Sequence, residues 1–107
     1  MEIWTALVCL VPDPACKNFR RFGAGKGAYV NVVAWAESAK HFEQRVTTNA
    51  KQLECIIREM EKVELLGAAL QREECPDEFF TMRATVERQP KDVVFGTFHM
   101  WEQGDVS

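Results

Sequence analysis

The stretch AYVNVVAWAESAKHFEQRVTTNAKQLE, residues 28–54, joins a strand pattern directly to a helix pattern and decides the class of fold. Its first part, residues 28–36, is rich in valine and aromatic residues, as strands commonly are. Its second part, residues 39–54, repeats apolar side chains at helical spacing, and Ser38 is a good N-cap. The sequence therefore predicts a strand followed by a one-sided helix, whose apolar stripe is Ala39, Phe42, Val46, Ala50 and Leu53.

The predicted strand 28–36 has two different faces. Its even positions are small and apolar, so this face should lie beneath the helix. The expected contacts join two sets of residues: Phe42, Val46 and Leu53 on the helix, and Val30, Val32 and Ala34 on the strand. The odd positions form an aromatic face that includes one amide: Tyr29, Asn31, Val33 and Trp35.

Three further strands and a second helix follow from the rest of the chain. The apolar run 3–11 predicts a central strand, covered on both faces. The charged run 56–66 predicts an edge strand, because charges protect a sheet edge from unwanted pairing. Residues 78–88 predict a helix that Asp77 caps, and residues 92–102 predict the last strand.

The order strand, strand, helix, strand, helix, strand predicts an α+β fold. We expect a two-layer sandwich, with a four-stranded, mostly antiparallel sheet and both helices on one face, in the broad ferredoxin-like neighbourhood. The second strand, the first helix and the third strand form a β-α-β unit. A length of 107 residues fits one domain, 1–107.

Composition and charge narrow the classes of partner. An apolar share of 47% and a charged share of 27% are typical of a globular domain. The net charge of −3 argues against a protein that coats nucleic acid or an anionic membrane. No segment approaches the roughly 20 apolar residues that a membrane-spanning helix needs. The short apolar run near the start follows Glu2, whereas a secretory signal begins with basic residues.

The four cysteines, Cys9, Cys16, Cys55 and Cys75, show neither a C-x-x-C pair nor the spacing of a zinc site. No metal site is expected. This usage favours a reducing, cytoplasmic setting, although an even number of cysteines leaves a disulfide open.

The glycine-rich segment around Lys26 fails the tests for a phosphate-binding loop. A P-loop would have glycine at the position of Arg20, and serine or threonine at that of Gly27. A dinucleotide-binding loop follows a strand and opens a helix, whereas Gly23 and Gly25 lie ahead of a strand. We interpret these glycines as turn residues and expect no cofactor.

A basic loop is a candidate site for an anion or an acidic partner. Of the 13 basic residues, four fall between residues 14 and 36, where there is no acidic residue. Arginine suits such a site because its planar fork pairs with two oxygens of a carboxylate or phosphate. The four residues are Lys17, Arg20, Arg21 and Lys26.

The aromatic face of the sheet is the candidate site for a partner. The last predicted strand should add its odd positions to it, and these include His99. Such a patch is seldom left open to water, so the long connection 16–27, a second copy, a ligand or another protein should cover it. The predicted set is Tyr29, Asn31, Trp35, Phe95, Thr97, His99 and Trp101.

No spacing in the chain brings the two histidines, His41 and His99, to a nucleophile, so we predict no catalytic residues. The first functional hypothesis is a small acidic protein-binding module, of the inhibitor or immunity type that neutralises a partner enzyme. The alternative is a dimeric α+β-barrel enzyme or ligand binder that uses the same face, with Asn31, Thr97 and His99 as its polar groups. An RNA binder ranks last, because the basic flanks it needs are missing.

Overall fold

The computed structural model describes residues 1–12, 27–72 and 75–101, and of residues 100 and 101 it describes the backbone alone. The elements in chain order are β1 (Glu2–Pro12), β2 (Gly27–Ala36), α1 (Ala39–Gln52), β3 (Cys55–Leu65), α2 (Leu66–Leu70), α3 (Glu78–Arg88), β4 (Val94–Phe95) and β5 (His99–Trp101). None of the helices in these ranges is long and apolar enough to cross a bilayer.

One antiparallel sheet organises the molecule. Its strand order is β3-β1-β2-β4, and β5 pairs with β2 as well. Because β2 and β3 both run antiparallel to β1, they are parallel to each other, and α1 connects them across β1. This is a split β-α-β unit. The predicted α+β sandwich, its antiparallel sheet and the edge position of the charged strand are confirmed.

Helix α1 covers one face of the sheet, as predicted. The Ser38 hydroxyl caps the helix by accepting a hydrogen bond of 3.2 Å from the His41 backbone N–H. The side chains of Phe42 and Val46 are fully buried. They belong to one core cluster with the even positions of β2 and with residues of β1: Ala6, Val8, Leu10, Ala28, Val30, Val32, Ala34 and Ala36. Leu53 packs against this cluster and is partly buried.

The prediction that both helices lie on one face is wrong. Helices α2 and α3 pack on the face opposite α1, around Val33. The reason is that β2 is apolar at odd positions too, so both faces of this central strand need cover. The sheet is therefore sandwiched between helices, and the second core cluster contains Val33, Leu66, Ala69, Phe79, Met82 and Val86.

The edge strand β3 contains two irregularities in its pairing with β1. Thr5 pairs with Glu64 and Leu7 with Glu61, so β3 has one more residue than β1 in this interval. Lys62 lies in this bulge with a φ of 56°. A second register shift lies between Cys9 and Leu10 of β1. Bulges of this kind twist an edge and discourage pairing with another chain.

The last strand is shorter and more broken than predicted. Phe95 pairs with Val32 and His99 with Tyr29. Phe95 and His99 are four positions apart, whereas their partners Val32 and Tyr29 are three positions apart. One extra residue therefore lies between β4 and β5. A slip of one residue exchanges the two faces of a strand. Phe95 and His99 therefore lie on opposite faces of the sheet.

Candidate functional site

One half of the sheet face opposite α1 carries a group of polar and acidic side chains. Tyr29 pairs with Cys9, which pairs in turn with Glu59 on β3. The next row joins Asn31, Leu7 and Glu61. Residues directly opposite each other on neighbouring strands share a face. We call Leu7, Tyr29, Asn31, Glu59 and Glu61 the acidic half-face.

Tyr29 is the exposed aromatic residue of the acidic half-face, with 39% of its surface accessible. The Cys9 side chain, desolvation and the carboxylates of Glu59 and Glu61 together raise the pKa of Tyr29 above its ordinary value. Desolvation and nearby negative charge both disfavour a phenolate. At neutral pH, Tyr29 is therefore a protonated hydroxyl in a negative electrostatic field, which favours a cationic neighbour.

The carboxylate of Glu78 ties α3 to the sheet beside the acidic half-face. One oxygen accepts a hydrogen bond of 3.0 Å from the Asn31 side-chain amide, and the other accepts one of 3.0 Å from the Thr97 backbone N–H. Partial burial raises the pKa of Glu78, but the hydrogen bonds from Asn31 and Thr97 and the nearby His99 outweigh it, so the net pKa is lowered. Glu78 is held as an anion and fixes the orientation of Asn31.

Close packing at Gly96 supports this arrangement. A Cβ atom at this position would lie 2.5 Å from a carboxylate oxygen of Glu78 and 3.0 Å from the sulfur of Met82. A larger residue at this position would require the Glu78 carboxylate and the Met82 side chain to shift, so glycine lets the link between β4 and β5 approach α3 with both in place. The backbone N–H of Gly96 also donates a hydrogen bond of 2.8 Å to the Asn31 carbonyl.

The seven residues predicted to form one aromatic face are divided by the structure. Asn31 and Thr97 meet at the Glu78 carboxylate, and His99 lies opposite Tyr29. The structure thus brings these four residues to the same part of the sheet.

Two of the other predicted residues lie elsewhere. Trp35 packs in the second core cluster, where its indole N–H donates a hydrogen bond of 3.2 Å to the Val86 carbonyl on α3. Phe95 packs on the α1 side of the sheet, next to Phe98. The predicted continuous aromatic face is therefore wrong, because α3 covers Trp35 and the extra residue after β4 moves Phe95 to the other face. The backbone of Trp101 pairs with Gly27, and its side chain lies outside the described residues.

The predicted basic loop of Lys17, Arg20, Arg21 and Lys26 lies outside the described residues, together with Gly23 and Gly25. Its role as an anion site stays a prediction. Gly27 is the first residue of β2 and is buried.

A cleft of about 570 Å³ lies on the same face, between β3 and the start of α3. Its lining combines apolar and charged side chains: Leu7, Asn31, Lys62, Glu64, Arg72, Pro76 and Phe79, with Ala6. Two nitrogens of the Arg72 guanidinium contact the two oxygens of the Glu64 carboxylate, at 2.9 and 2.5 Å. The Lys62 side chain, by contrast, makes no ion pair or hydrogen bond within the described part of the chain.

His41 has a structural role at the start of α1. Its Nδ1 accepts a hydrogen bond of 3.0 Å from the Glu37 backbone N–H, while its own backbone N–H donates to Ser38. This reciprocal pattern resembles a capping box. Within residues 1–12, 27–72 and 75–101, no group of three histidine, cysteine, aspartate or glutamate side chains is placed to hold a metal ion.

Sequence reasoning missed the acidic residues of the site. Glu59 and Glu61 alternate in the predicted edge strand, and this period of two was a signal that they share a face. Glu78 gave no such signal, since its contacts are to residues far away in the sequence.

Comparisons with protein-family models, with curated proteins and with solved structures found no match.

Proposed function

We propose that the chain is a protein-binding module whose acidic half-face captures a basic protein. The observation that carries this proposal is an exposed tyrosine, Tyr29, on the same sheet surface as the carboxylates of Glu59 and Glu61. Tyrosine is enriched among the residues that dominate binding energy at interfaces. Complementary charge around such an anchor steers encounter and selects the partner.

The rigidity of this surface supports the proposal. Its side chains stand on three adjacent strands in one register, rather than on loops. Asn31 is held further by its hydrogen bond to Glu78. A surface that is already ordered loses less conformational entropy when a partner binds.

The helices that cover the sheet make the alternative hypothesis, a dimeric α+β-barrel enzyme or ligand binder, less favourable. A dimeric barrel would need the face that contains Val33 and Trp35 to be open to a second copy. Helices α2 and α3 of the same chain already pack on that half of the face. A barrel enzyme could then use only the remaining half.

In its finer form, the proposal is that the partner is an enzyme that the chain neutralises, as an inhibitor or immunity-type protein does. We place this binding in the reducing cytoplasm, which agrees with the free thiols of Cys9 and Cys75. This form is tested by measuring the activity of any captured enzyme as the chain is added. Enzyme activity should fall in proportion to the complex formed.

Capture by charge-reversed baits tests the proposal. The tagged chain, its Glu59→Lys/Glu61→Lys variant and the matched Glu37→Lys/Glu43→Lys variant are exposed to a lysate, and bound proteins are identified by mass spectrometry. The two variants change net charge equally, but only the first alters the acidic half-face. We expect a basic protein that the native chain and the matched control retain and that the first variant loses. Equal capture by both variants would contradict the proposal.

A further inference from the structure

Lys62 has an unusual backbone conformation for its residue type. Its φ of 56° lies in the left-handed region, where a lysine is uncommon because its Cβ is crowded. Residues held in such conformations often serve a functional site, since the surrounding structure has to enforce them. Lys62 is in addition a residue of the cleft lining.

The bulge in β3 determines where Lys62 points. Met60 and Val63 both pack toward the core cluster on the α1 side. In a regular strand Lys62 would share the face of Met60, two residues before it. The extra residue instead places Lys62 with Glu64 in the cleft on the opposite face. Bulges commonly re-aim a side chain beside a site in this way.

The charges of the cleft favour an anion. Glu64 neutralises Arg72 through their paired contacts, whereas Lys62 has no such partner within the described residues. Among the described residues that line the cleft, the ammonium group of Lys62 is therefore the charge without an ion-pair partner. The carboxylates of Glu61 and Glu78 stand on the same sheet face and repel any anion, more strongly the more charge it carries. A bound anion should therefore carry a single charge and contact Lys62 directly.

The other residues that line the cleft indicate the polarity and size of the part of the ligand that does not contact Lys62. Leu7 and Phe79 provide apolar surface, and Asn31 provides one amide. A volume of about 570 Å³ lies within the range of about 300–1,000 Å³ that is common for small-molecule sites. Such sites are mostly apolar, with a few polar groups that orient the ligand.

We infer that this cleft is a second binding site, for a small monocarboxylate with an apolar body. The carboxylate of the ligand pairs with the Lys62 ammonium, and its apolar body lies against Leu7 and Phe79. The cleft shares Leu7 and Asn31 with the acidic half-face, but the binding of a small monocarboxylate does not depend on the capture of a basic protein.

Phenylacetate, with phenylacetamide as its uncharged analogue, is the probe that tests this inference. Titration of the full ¹⁵N-labelled chain should shift the amide resonances of Leu7, Asn31 and Phe79 with phenylacetate and leave them in place with phenylacetamide. The titration extends to about 50 mM, where a site with a Kd near 1 mM would be almost saturated. Equal shifts with both probes, or none with phenylacetate, would overturn the inference.

Three variants assign the binding to Lys62. Asparagine tolerates the left-handed region, so Lys62→Asn keeps the fold while it removes the charge, and the affinity for phenylacetate should fall about tenfold or more. Lys62→Arg keeps the charge and should bind within about threefold of the native chain. Lys51→Asn, on α1, should bind as the native chain does. Native affinity in a folded Lys62→Asn protein would overturn the role of Lys62.

Discussion

At the scale of residues, two of the described residues other than glycine have a left-handed backbone: Glu54, with a φ of 63°, and Lys62, with a φ of 56°. Glu54 directly follows α1 and its C-cap Leu53, where helices commonly end with a left-handed residue. Lys62 lies inside a strand, in a bulge of the kind in which a left-handed residue is known but is usually glycine. The conformation of Lys62 is therefore tied to the bulge and to the cleft that it lines.

Replacing either residue with asparagine should stabilise the fold, because asparagine is less disfavoured in the left-handed region. We expect Lys62→Asn and Glu54→Asn each to raise the free energy of unfolding by about 0.5–1 kcal/mol, measured by urea denaturation. Lys91→Asn, on an exposed turn, should leave it unchanged. A lower free energy of unfolding for Lys62→Asn would show that the native residue is not strained.

Phe42 is the central residue of the α1 core and is fully buried. Truncation to alanine removes most of a buried aromatic ring and leaves a cavity, so Phe42→Ala should lower the free energy of unfolding by about 3–5 kcal/mol. The matched change Lys40→Ala, on the exposed side of the same helix, should have little effect. A loss below about 1 kcal/mol for Phe42→Ala would contradict the packing of α1 on β2.

At the scale of elements, the Glu78 carboxylate joins α3, β2 and the link between β4 and β5. Its pKa is lowered in the folded state, so its contribution to stability is present above the unfolded pKa of about 4.3 and is lost as the pH falls through the folded value. Glu78→Gln should lower the free energy of unfolding by about 1–2 kcal/mol at pH 7. The difference in free energy of unfolding between the variant and the native chain should disappear as Glu78 is protonated.

Denaturation of both proteins in urea, at a series of pH values from neutral to acidic, measures this difference in free energy of unfolding. An equal difference at all pH values would mean that the charge of Glu78 does not stabilise the contact. Gly96→Ala offers an independent check at neutral pH, since its added methyl group would collide with the Glu78 carboxylate and should destabilise the fold.

The elements differ in how far the sequence could predict them. The α1 stripe and the charged edge strand were predictable, because each depends on a local pattern. The opposite placement of Phe95 and His99 was not, since it depends on one extra residue that only the pairing with Val32 and Tyr29 reveals. The face on which α3 packs was not predictable either, because an apolar residue such as Val33 can face a helix or another subunit equally well. The site was predicted in part, through Tyr29, Asn31, Thr97 and His99, while Glu78 was not predictable from local patterns.

At the scale of the whole molecule, the chain carries 16 acidic and 13 basic residues. If the acidic half-face attracts a basic partner, the association rate constant should fall steeply with salt, because the Debye length shortens from about 10 Å at 0.1 M to about 3 Å at 1 M. Stopped-flow mixing with the captured protein measures this rate. Glu59→Lys/Glu61→Lys should flatten the salt dependence, whereas Glu37→Lys/Glu43→Lys should keep most of it.

Tyr29 should act as the anchor of the complex. Tyr29→Ala should weaken binding of the captured protein by about 2 kcal/mol or more, as truncation of a central interface aromatic commonly does. Because only 39% of the Tyr29 surface is exposed in the free chain, its loss should also lower the free energy of unfolding, by about 1 kcal/mol. The affinity is therefore measured on the folded variant. Calorimetric titration measures the affinity, and an unchanged affinity would place the interface elsewhere.

The most direct test of the proposed interface is an amide NMR footprint of the ¹⁵N-labelled chain with the captured protein. Binding through the acidic half-face predicts that the largest shifts fall on Leu7, Tyr29, Asn31, Glu59 and Glu61. The exposed side of α1, at Lys40, Glu43 and Thr47, should stay unperturbed. A footprint centred on α1, with the half-face residues unshifted, would contradict the proposed function.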